Sequence, residues 1–563
     1  MDKNSQEDKT MTVVETKLSR LKKLIKKQIT IKEIEEALAN MGMELEDVNE
    51  DDLKIEITAE RTDLITPEGL ARAISSYLGF TKEYQEVKVN KGNYIHNIQP
   101  SVKKYRPFTR SFVVKNIKLT NEDIQSIMWI QEKLHETFGR KRKKMALGVY
   151  DLDLIKFPIE YTAMKPKDFK FVPLGMNKEL NGLQIIQTHP TGKNYADLIK
   201  KYDKYPIQID KKNQILSMPP IINSDSLGKI TSKTKNIFIE CTGPDEETLD
   251  VTMNILATMF YDWKGKIYSV IIKDNKTTIC PDFTSRKKTI SIDFVNKYIG
   301  LDLKPKEAKE CAQKMGYDVT DLKKDKLTLT IPSVRTDIWH DVDIADDIAR
   351  GYGYNNITPT LPNISTIGKM LPINTLKEDL SNLLANLGLI EVKTFALTNK
   401  ENQYKKMNIK QEPHISLGKN TSDKGINMVR SWLIPECIKA LVANRNREYP
   451  QRIFEAGIVV IPDEKADVKS RNIEKLVCLL CEEKSNYTNI RQILDVIMDF
   501  LDIKYTIKET EHSSFIPGRV ASVYVKNKEI AYIGELHPKV LNNFELELPV
   551  AALELNLTEL FSL

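Results

Sequence analysis

The segment RTDIWHDVDIADDIARGYG, residues 335–353, sets five aspartates within eleven residues: Asp337, Asp341, Asp343, Asp346 and Asp347. Carboxylates at that density support two kinds of chemistry. Mg2+ takes oxygen ligands and keeps several waters, so carboxylates from a loop and a helix start would suit it, and the ion would relieve their repulsion. The other reading is the solvated first turn of a helix, where each carboxylate contributes about 0.3–1 kcal/mol. There Asp343 caps a short helix ended by Gly351 or Gly353, Asp346 and Asp347 follow at i+3 and i+4, and Arg350 pairs with Asp346. The residues alone leave both open. A second group is GRKRKK at 139–144, with Arg140, Lys141, Arg142, Lys143 and Lys144 in succession. It is either a solvated loop or a contact for phosphates. KLSRLKKLIKK at 17–27 poses the same choice, with leucines at helical spacing.

Other chemistries leave no trace. Cys478 and Cys481 have C-x-x-C spacing, but they sit in the apolar run LVCLLC with no second pair and no nearby histidine; this reads as a buried strand. No Ser-His-Asp or Cys-His arrangement can be traced. There is no G-x-x-x-x-G-K-[ST] phosphate loop and no HIGH-type motif.

The elements that must position these groups follow from periodicity and caps. MTVVETKLSRLKKLI predicts a strand and a helix. TIKEIEEALANMG predicts a helix capped by Thr30 with Glu33 three residues on, ended at Gly42. KIEIT alternates like a strand, and Pro67 opens a helix that closes at Gly79. Polar, Lys- and Gln-rich sequence then bridges to about residue 105. RSFVVKNIKLT predicts a strand, and Asn121 caps a long helix whose Ile124, Ile127, Met128, Leu134 and Phe138 share one face. Short strands with Pro and Gly turns run to about 275. A compact unit spans 286–361, and a mixed α/β segment runs from about 370. No 20–50-residue period repeats, so a solenoid is not expected.

A chain of 563 residues accommodates three to five domains of ~100–200 residues. Hydrophobic residues make up 41% and charged residues 29%, with a net charge of +6. That composition fits a globular protein, and so mild an excess permits nucleic-acid binding through local patches without requiring it. Scattered cysteines suggest a reducing compartment. No apolar run of ~18 residues occurs, and MDKNSQEDKT lacks a signal-peptide core. The expectation is a cytoplasmic protein without a membrane segment. Residues 1–10 read as a disordered leader, with Met11 an alternative start.

RTDIWHDVDIADDIARGYGYNNITPTLP closely resembles the signature of the phenylalanyl-tRNA synthetase beta-subunit family, archaeal and eukaryotic type. There R-x-D, a six-residue step to Asp and two acids three and four further on precede GYNNI. The resemblance implies Mg2+ held by Asp337, Asp343, Asp346 and Asp347 and shared with an alpha subunit; Asp341 falls outside the pattern. RTDLITPEGLARAISSYLGF is similar to the family's N-terminal domain. LHETFGRKRKKMALGVYDLDLI, HPTGKNYADLI and LSMPPIINSDSLGKIT resemble successive blocks of its editing domain. LIPECIKALVANRNREYPQRIFEAGIVV resembles its C-terminal core.

The implied fold class is α/β and α+β, multidomain. It comprises a small N-terminal α/β domain (11–85), a strand-rich editing and tRNA-binding domain (105–275) and a small helical Mg-bearing domain (286–361). A class II synthetase-like antiparallel-sheet core (370–563) without a complete active site follows. In that core QRIFEAGIVV keeps Glu455, but Arg452 stands three residues before it instead of two, and no Gly-rich run followed by Arg occurs near the C-terminus. An ATP site needs directed N–H groups and cations around the phosphates. The expectation is therefore that ATP and phenylalanine are used on the alpha subunit of an α2β2 assembly.

Phenylalanine and tyrosine differ by one hydroxyl, which an apolar pocket rejects only about 10²-fold, so a second, hydrolytic site is useful. The resemblance implies such an editing site for mischarged tyrosyl-tRNA at Ser217, Asn223, Glu240 and Thr242, with His189 in a matched block. Glu240 departs from the family's Asp. Gln208, in YPIQID, stands where the family is apolar and is left outside the site. The run at 140–144 would then meet the tRNA backbone. Two other readings stay open: a free-standing deacylase of mischarged tRNA, and an RNA-binding scaffold with a decayed editing site.

Overall fold

The computed structural model describes residues 13–81, 86–323, 325–418 and 425–562. The leader at 1–10 and the alternative start at Met11 lie outside the described residues. The chain is a mixed α/β, multidomain protein with several sheets, and it divides into two compact units, one ending at Leu361 and one beginning at Pro362.

The first unit begins with a three-stranded antiparallel sheet in the order Val13–Lys17, Asp52–Glu56, Glu44–Asn49. Helices Leu18–Ile25, Ile31–Asn40 and Pro67–Tyr77 accompany it, and Thr30 and Glu33 form the expected capping box. A ten-stranded sheet follows, in the order 222–223, 215–218, 205–209, 159–164, 89–98, 266–273, 108–115, 237–243, 146–151, with 277–280 paired to 266–273. The stretch expected to bridge to residue 105 instead holds the strand Val89–Ile98, which pairs in parallel with strands on both sides. Its composition hid it: NKGNYIHNI carries no run of branched apolar residues, and partner strands supply the missing drive. Helix Glu246–Asp262 is buried almost throughout against this sheet.

Two details of helix Asn121–Glu136 differ from expectation. Thr120, not Asn121, is its cap and forms a capping box with Asp123. Met128 is exposed, and Ile130 takes its place beside Ile127 and Leu134 in the core.

A hairpin-containing sheet, 286–291, 326–331, 318–323, closes the first unit together with helices Ile292–Ile299, Pro305–Lys314 and Asp341–Tyr352. The last helix starts two residues before Asp343, because the Asp343 carboxylate reaches back to the backbone N–H groups of Trp339 and His340. It ends at Gly353, whose φ of 94° suits only glycine.

The second unit is built on a seven-stranded sheet, 390–391, 451–462, 470–481, 550–556, 528–536, 515–525, 506–509, antiparallel except for the first pair. Cys478 and Cys481 lie buried on the strand Ser470–Cys481, as the apolar run predicts, and every cysteine of the chain is a buried free thiol. No helix among the described residues is long and apolar enough to cross a membrane.

Candidate functional site

Alternation along the strand Ile237–Gly243 puts Glu240 and Thr242 on one face and Cys241 on the other. Cys241 joins the apolar core. Burial, with Glu240 adding to it, pushes its thiol well above the usual range, so it is no nucleophile. Ser111 stands opposite Glu240 on the neighbouring strand. At the other end of the sheet Gln208 pairs with Ser217, and Ser217 with Asn223, so three polar residues stand abreast across three strands.

Tyr150 joins the two ends. Its hydroxyl lies 2.9 Å from Glu240 Oε1 and 3.2 Å from Asn223 Oδ1. Gly148 precedes it by two residues, where a Cβ would collide with both the Tyr150 hydroxyl and Glu240 Oε1. Only glycine leaves room for this meeting.

Glu240 is 2% exposed. Burial raises its carboxyl to about 7, against the Tyr150 hydrogen bond, the nearby Gln208 amide and Arg106. A phenol has one proton and cannot donate to Glu240 and Asn223 together. A protonated Glu240 resolves the conflict: it donates to the Tyr150 oxygen, and Tyr150 donates to Asn223.

Four further polar atoms here are buried without a partner: Glu240 Oε2, both amide atoms of Gln208 and Ser217 Oγ. Buried polar groups are nearly always paired, so a set of unmet ones on facing strands sets this region apart.

Two buried arginines tie this polar cluster to the basic run. Arg106 Nε donates to Thr242 Oγ1 at 2.9 Å, and its Nη1 reaches the carbonyls of Arg142 and Lys143 at 3.3 and 3.4 Å. Arg142 donates to the carbonyls of Pro220 and Ile221, pairs with Glu132 and stacks on Tyr195. Between them the backbone makes a left-handed turn, with φ of 48°, 53° and 62° at Arg140, Lys141 and Arg142. Such conformations are held only where surroundings over-determine them. Arg142 is thus 8% exposed, which separates it from the rest of the run read as a solvated loop or a phosphate contact. Arg140, Lys141 and Lys143 point to solvent, and half-buried Lys144 lies 3.5 Å from Asp245.

The structure brings Ser217, Asn223, Glu240 and Thr242 to one polar, largely buried region of the ten-stranded sheet. His189 Nδ1 accepts from Thr191 N–H at the start of a short helix, and its Nε2 lies 3.2 Å from the Leu174 carbonyl. Both nitrogens are engaged, and the Leu174 N–H donates to the Asn223 carbonyl at 2.9 Å, which sets His189 next to the strand of Asn223. Sequence reasoning missed Tyr150, Arg106 and Gln208. For Gln208 the signal was present, a lone amide inside the apolar strand YPIQI. His96 was missed as well. Its Nδ1 lies 3.0 Å from Ser111 Oγ, but burial pushes the imidazole down to about 3, which makes it a poor base.

The aspartates do not fit a metal ion as they stand. Buried Arg335 holds Asp337 with two hydrogen bonds of 2.8 and 2.6 Å and Asp347 with one of 2.6 Å, and Tyr317 donates to Asp347 at 2.6 Å. Burial pushes the Asp337 carboxyl up, but Arg335 outweighs it and the net shift is downward. Asp346 takes Arg350 at 2.8 Å and the Tyr354 hydroxyl, and Arg350 continues to the Met41 carbonyl. Asp341 pairs with Lys288. Among the described residues no three His, Cys, Asp or Glu side chains converge to hold an ion.

Comparison with known proteins decides the family. The chain is 37% identical over 549 residues to the phenylalanine–tRNA ligase beta subunit of Pyrococcus abyssi, covering 96% of this chain and 98% of the relative. The Pyrococcus furiosus beta subunit matches with the same identity and coverage. The chain belongs to the phenylalanine–tRNA ligase beta-subunit family. Family models match three segments: the Phe-tRNA synthetase beta subunit B1 domain at 11–80, the tRNA synthetase B5 domain at 288–354 and the phenylalanyl-tRNA synthetase beta chain CLM domain at 357–557. A crystal structure of an N-terminal fragment of the Pyrococcus horikoshii beta subunit superposes with a TM-score of 0.58 at 34% identity. It covers 60% of this chain and 99% of that one.

Proposed function

We propose that this chain is the beta subunit of a cytoplasmic α2β2 phenylalanine–tRNA ligase and that its ten-stranded domain hydrolyses mischarged tyrosyl-tRNA. The observation that carries the hydrolytic part is the convergence of unmet polar atoms around Glu240. A phenolic hydroxyl entering there would meet Glu240 Oε2 or Ser217 Oγ beside the Tyr150 hydroxyl, which already holds Glu240 Oε1 and Asn223. Phenylalanine brings no hydroxyl and leaves those atoms unmet, so the site favours the tyrosyl ester.

Neither Cys241 nor His96 supports a covalent route. In this reading a positioned water adds to the ester carbonyl and the bond to the ribose oxygen breaks. That oxygen takes up a proton, releasing free amino acid and uncharged tRNA. Placement supplies most of the acceleration. Arg140, Lys141 and Lys143 hold the tRNA backbone, which makes binding steeply salt-dependent.

ATP-dependent attachment of phenylalanine, with ATP and Mg2+ as the family uses them, belongs to the alpha partner in this reading. In the second unit Glu455 pairs with buried Arg430 at 2.9 Å, while Arg452 turns to Glu482. Aromatic rings of Trp432, His512, Phe515 and Tyr532 pack together. Such a packed interior offers no cradle for phosphates. Ile364, Ile367, Leu371, Ile390 and Phe395 are exposed, with Phe395 at 86%. An apolar surface of that kind suits a permanent partner.

Two measurements test the proposal. Purification of the tagged chain from its own cells should bring a second, smaller chain at equal stoichiometry, with phenylalanine-dependent charging in the eluate. The assembly should deacylate tyrosyl-tRNA, and replacing Asn223 and Thr242 together should reduce this at least about a hundredfold. A chain that elutes alone, or a double variant with undiminished hydrolysis, rejects the corresponding half.

A further inference from the structure

A cavity of about 800 Å³ lies within the first unit. Helices Leu18–Ile25 and Pro67–Tyr77, the end of helix Glu246–Asp262 and the turn after helix Pro305–Lys314 border it. Small-molecule sites span about 300–1,000 Å³. None of Ser217, Asn223, Glu240 and Thr242 lines it, so it is separate from the region described above.

Three ion pairs stiffen its wall. Arg20 donates to Glu68 Oε1 at 2.9 Å, Arg61 holds Asp63 twice at 2.9 Å, and Arg72 holds Asp262 at 2.7 and 2.6 Å. Each pair cancels its own charge. Trp263 Nε1 also donates to Glu68 Oε1, at 2.8 Å. Glu68 is 2% exposed, yet its Oε2 has no partner. Two donors thus share one oxygen and the other has none. An ionised carboxylate accepts on both oxygens, and a buried one left bare carries a cost that a ligand's donor removes. Ile25, Ile255, Met259, Met315 and Val334 add buried apolar wall. Lys23, Lys26, Lys118 and Lys264 are exposed where they border the cavity. Of the remaining acids there, Asp123 is held in the Thr120 cap and Glu122 lies 4.0 Å from Arg20. The lysines outnumber the carboxylates left to balance them.

A ligand for this cavity therefore needs three parts. It needs a neutral N–H donor for Glu68 Oε2, since Arg20 already balances the carboxylate's charge. It needs an apolar body for the wall and an anionic group for the lysines. A nucleotide whose base carries an amine has all three. Only one carboxylate oxygen is open, so the single amine of adenine suits it better than guanine, whose two adjacent donors span both oxygens. We propose that this cavity binds an adenine nucleotide, with the base amine on Glu68 and the phosphates among Lys23, Lys26, Lys118 and Lys264. It is a second nucleotide site, on this chain, apart from the ATP used on the alpha partner, and it does not rest on the hydrolytic reading.

The test uses the complete assembly with its synthetic sites filled by a non-hydrolysable phenylalanyl-adenylate analogue. Equilibrium dialysis then measures binding of ATP and of inosine triphosphate, whose base carries an oxygen in place of the amine. One ATP should bind per beta chain, and inosine triphosphate should bind about tenfold or more weaker, the worth of one hydrogen bond to a charged group. Glu68→Gln keeps an oxygen for Arg20 and Trp263 but presents an N–H where Oε2 stood, so the preference should vanish or reverse. Lys118→Ala combined with Lys264→Ala should weaken both nucleotides alike, by about three- to tenfold. No ATP retained beyond the analogue, equal affinity for the two nucleotides, an unchanged preference in folded Glu68→Gln, or binding untouched by the lysine pair overturns the inference. Where Glu68→Gln fails to fold, the natural chain's ratio of the two affinities and the lysine pair decide the matter.

Discussion

Both compact units bury carboxylates, but the region around Glu240 treats its carboxylate differently from the second unit. In the second unit Glu436, Glu455 and Glu554 are all buried and all answered. Glu455 takes Arg430 and Thr394; Glu436 takes Thr398, Gln403 and Lys439; Glu554 takes the N–H groups of Leu433 and Ile434 together with Lys475. In the first unit Glu240 has one oxygen on Tyr150 and the other outside hydrogen-bonding geometry from the nearby Gln208 amide. A saturated network is finished by folding and has no use for a ligand. An unsaturated one is a standing cost that a ligand removes. The difference separates a scaffold from a receiving site without appeal to the family.

The largest effect that could break this comparison lies in the scaffold. Glu455→Ala leaves the Arg430 guanidinium buried without its anion. Loss of one partner of a buried pair costs about 3–5 kcal/mol. Denaturant melts should show the second unit's transition moved by that order, with Glu455→Gln recovering part through its remaining hydrogen bonds. A loss no greater than that of an exposed ion pair would mean that the network is not what holds this unit.

The receiving site should show itself in the pH dependence of stability. Between pH 4.5, the ordinary value, and about 7 the folded chain keeps a proton on Glu240 that the unfolded chain has released. Stability contributed by this group is therefore full below pH 4.5 and lost as pH rises through 7, by a few kcal/mol in all. Glu240→Gln should flatten the melting profile of the first unit in that window and raise its stability at pH 8. A natural chain already flat from pH 5 to 8 would place Glu240 among the answered carboxylates.

Much of the frame was legible. The Thr30 box, the Asp346–Arg350 pair and the buried C-x-x-C strand all follow from local rules, because their decisive partners lie within a few residues or one strand face. What escaped depends on contacts distant in sequence. Val89–Ile98 is a strand because two parallel neighbours pair with it. Tyr150 meets Glu240 across ninety residues, and Arg335 claims Asp337 and Asp347 through an orientation that spacing does not encode. Gln208 was visible as an amide in an apolar strand, but only the fold reveals what stands next to it.

A smaller effect sharpens the link between the pocket and the basic turn. Arg142→Met keeps the stem but removes the donors to Pro220 and Ile221, which lie between Ser217 and Asn223 in sequence. Hydrogen bonds from a charged donor are worth about 1.5–3 kcal/mol. Hydrolysis of tyrosyl-tRNA should fall in kcat, because the pocket wall loosens. Removing the exposed Arg140 and Lys141 should instead raise KM and reduce its salt dependence. Identical KM effects in both variants would make Arg142 a phosphate contact after all.

The smallest expected effect concerns the aspartates, where the result is no change. Arg335 already supplies the positive charge that Asp337 and Asp347 require, and Asp343 and Asp346 are held by backbone N–H groups and by Arg350. An ion bridging the four would have to displace a buried guanidinium from two carboxylates, stranding that cation in the core. Chelator should therefore leave the melting temperature of this chain unchanged, and added Mg2+ should not raise it. Asp347→Asn should destabilise more than Asp343→Asn, since Asp347 is buried between Arg335 and Tyr317 whereas Asp343 sits at the half-exposed helix start. A melt that drops with chelator and recovers with Mg2+ would mean that Arg335 yields to the ion. The acidic segment would then join the Glu240 pocket on the receiving side of the comparison.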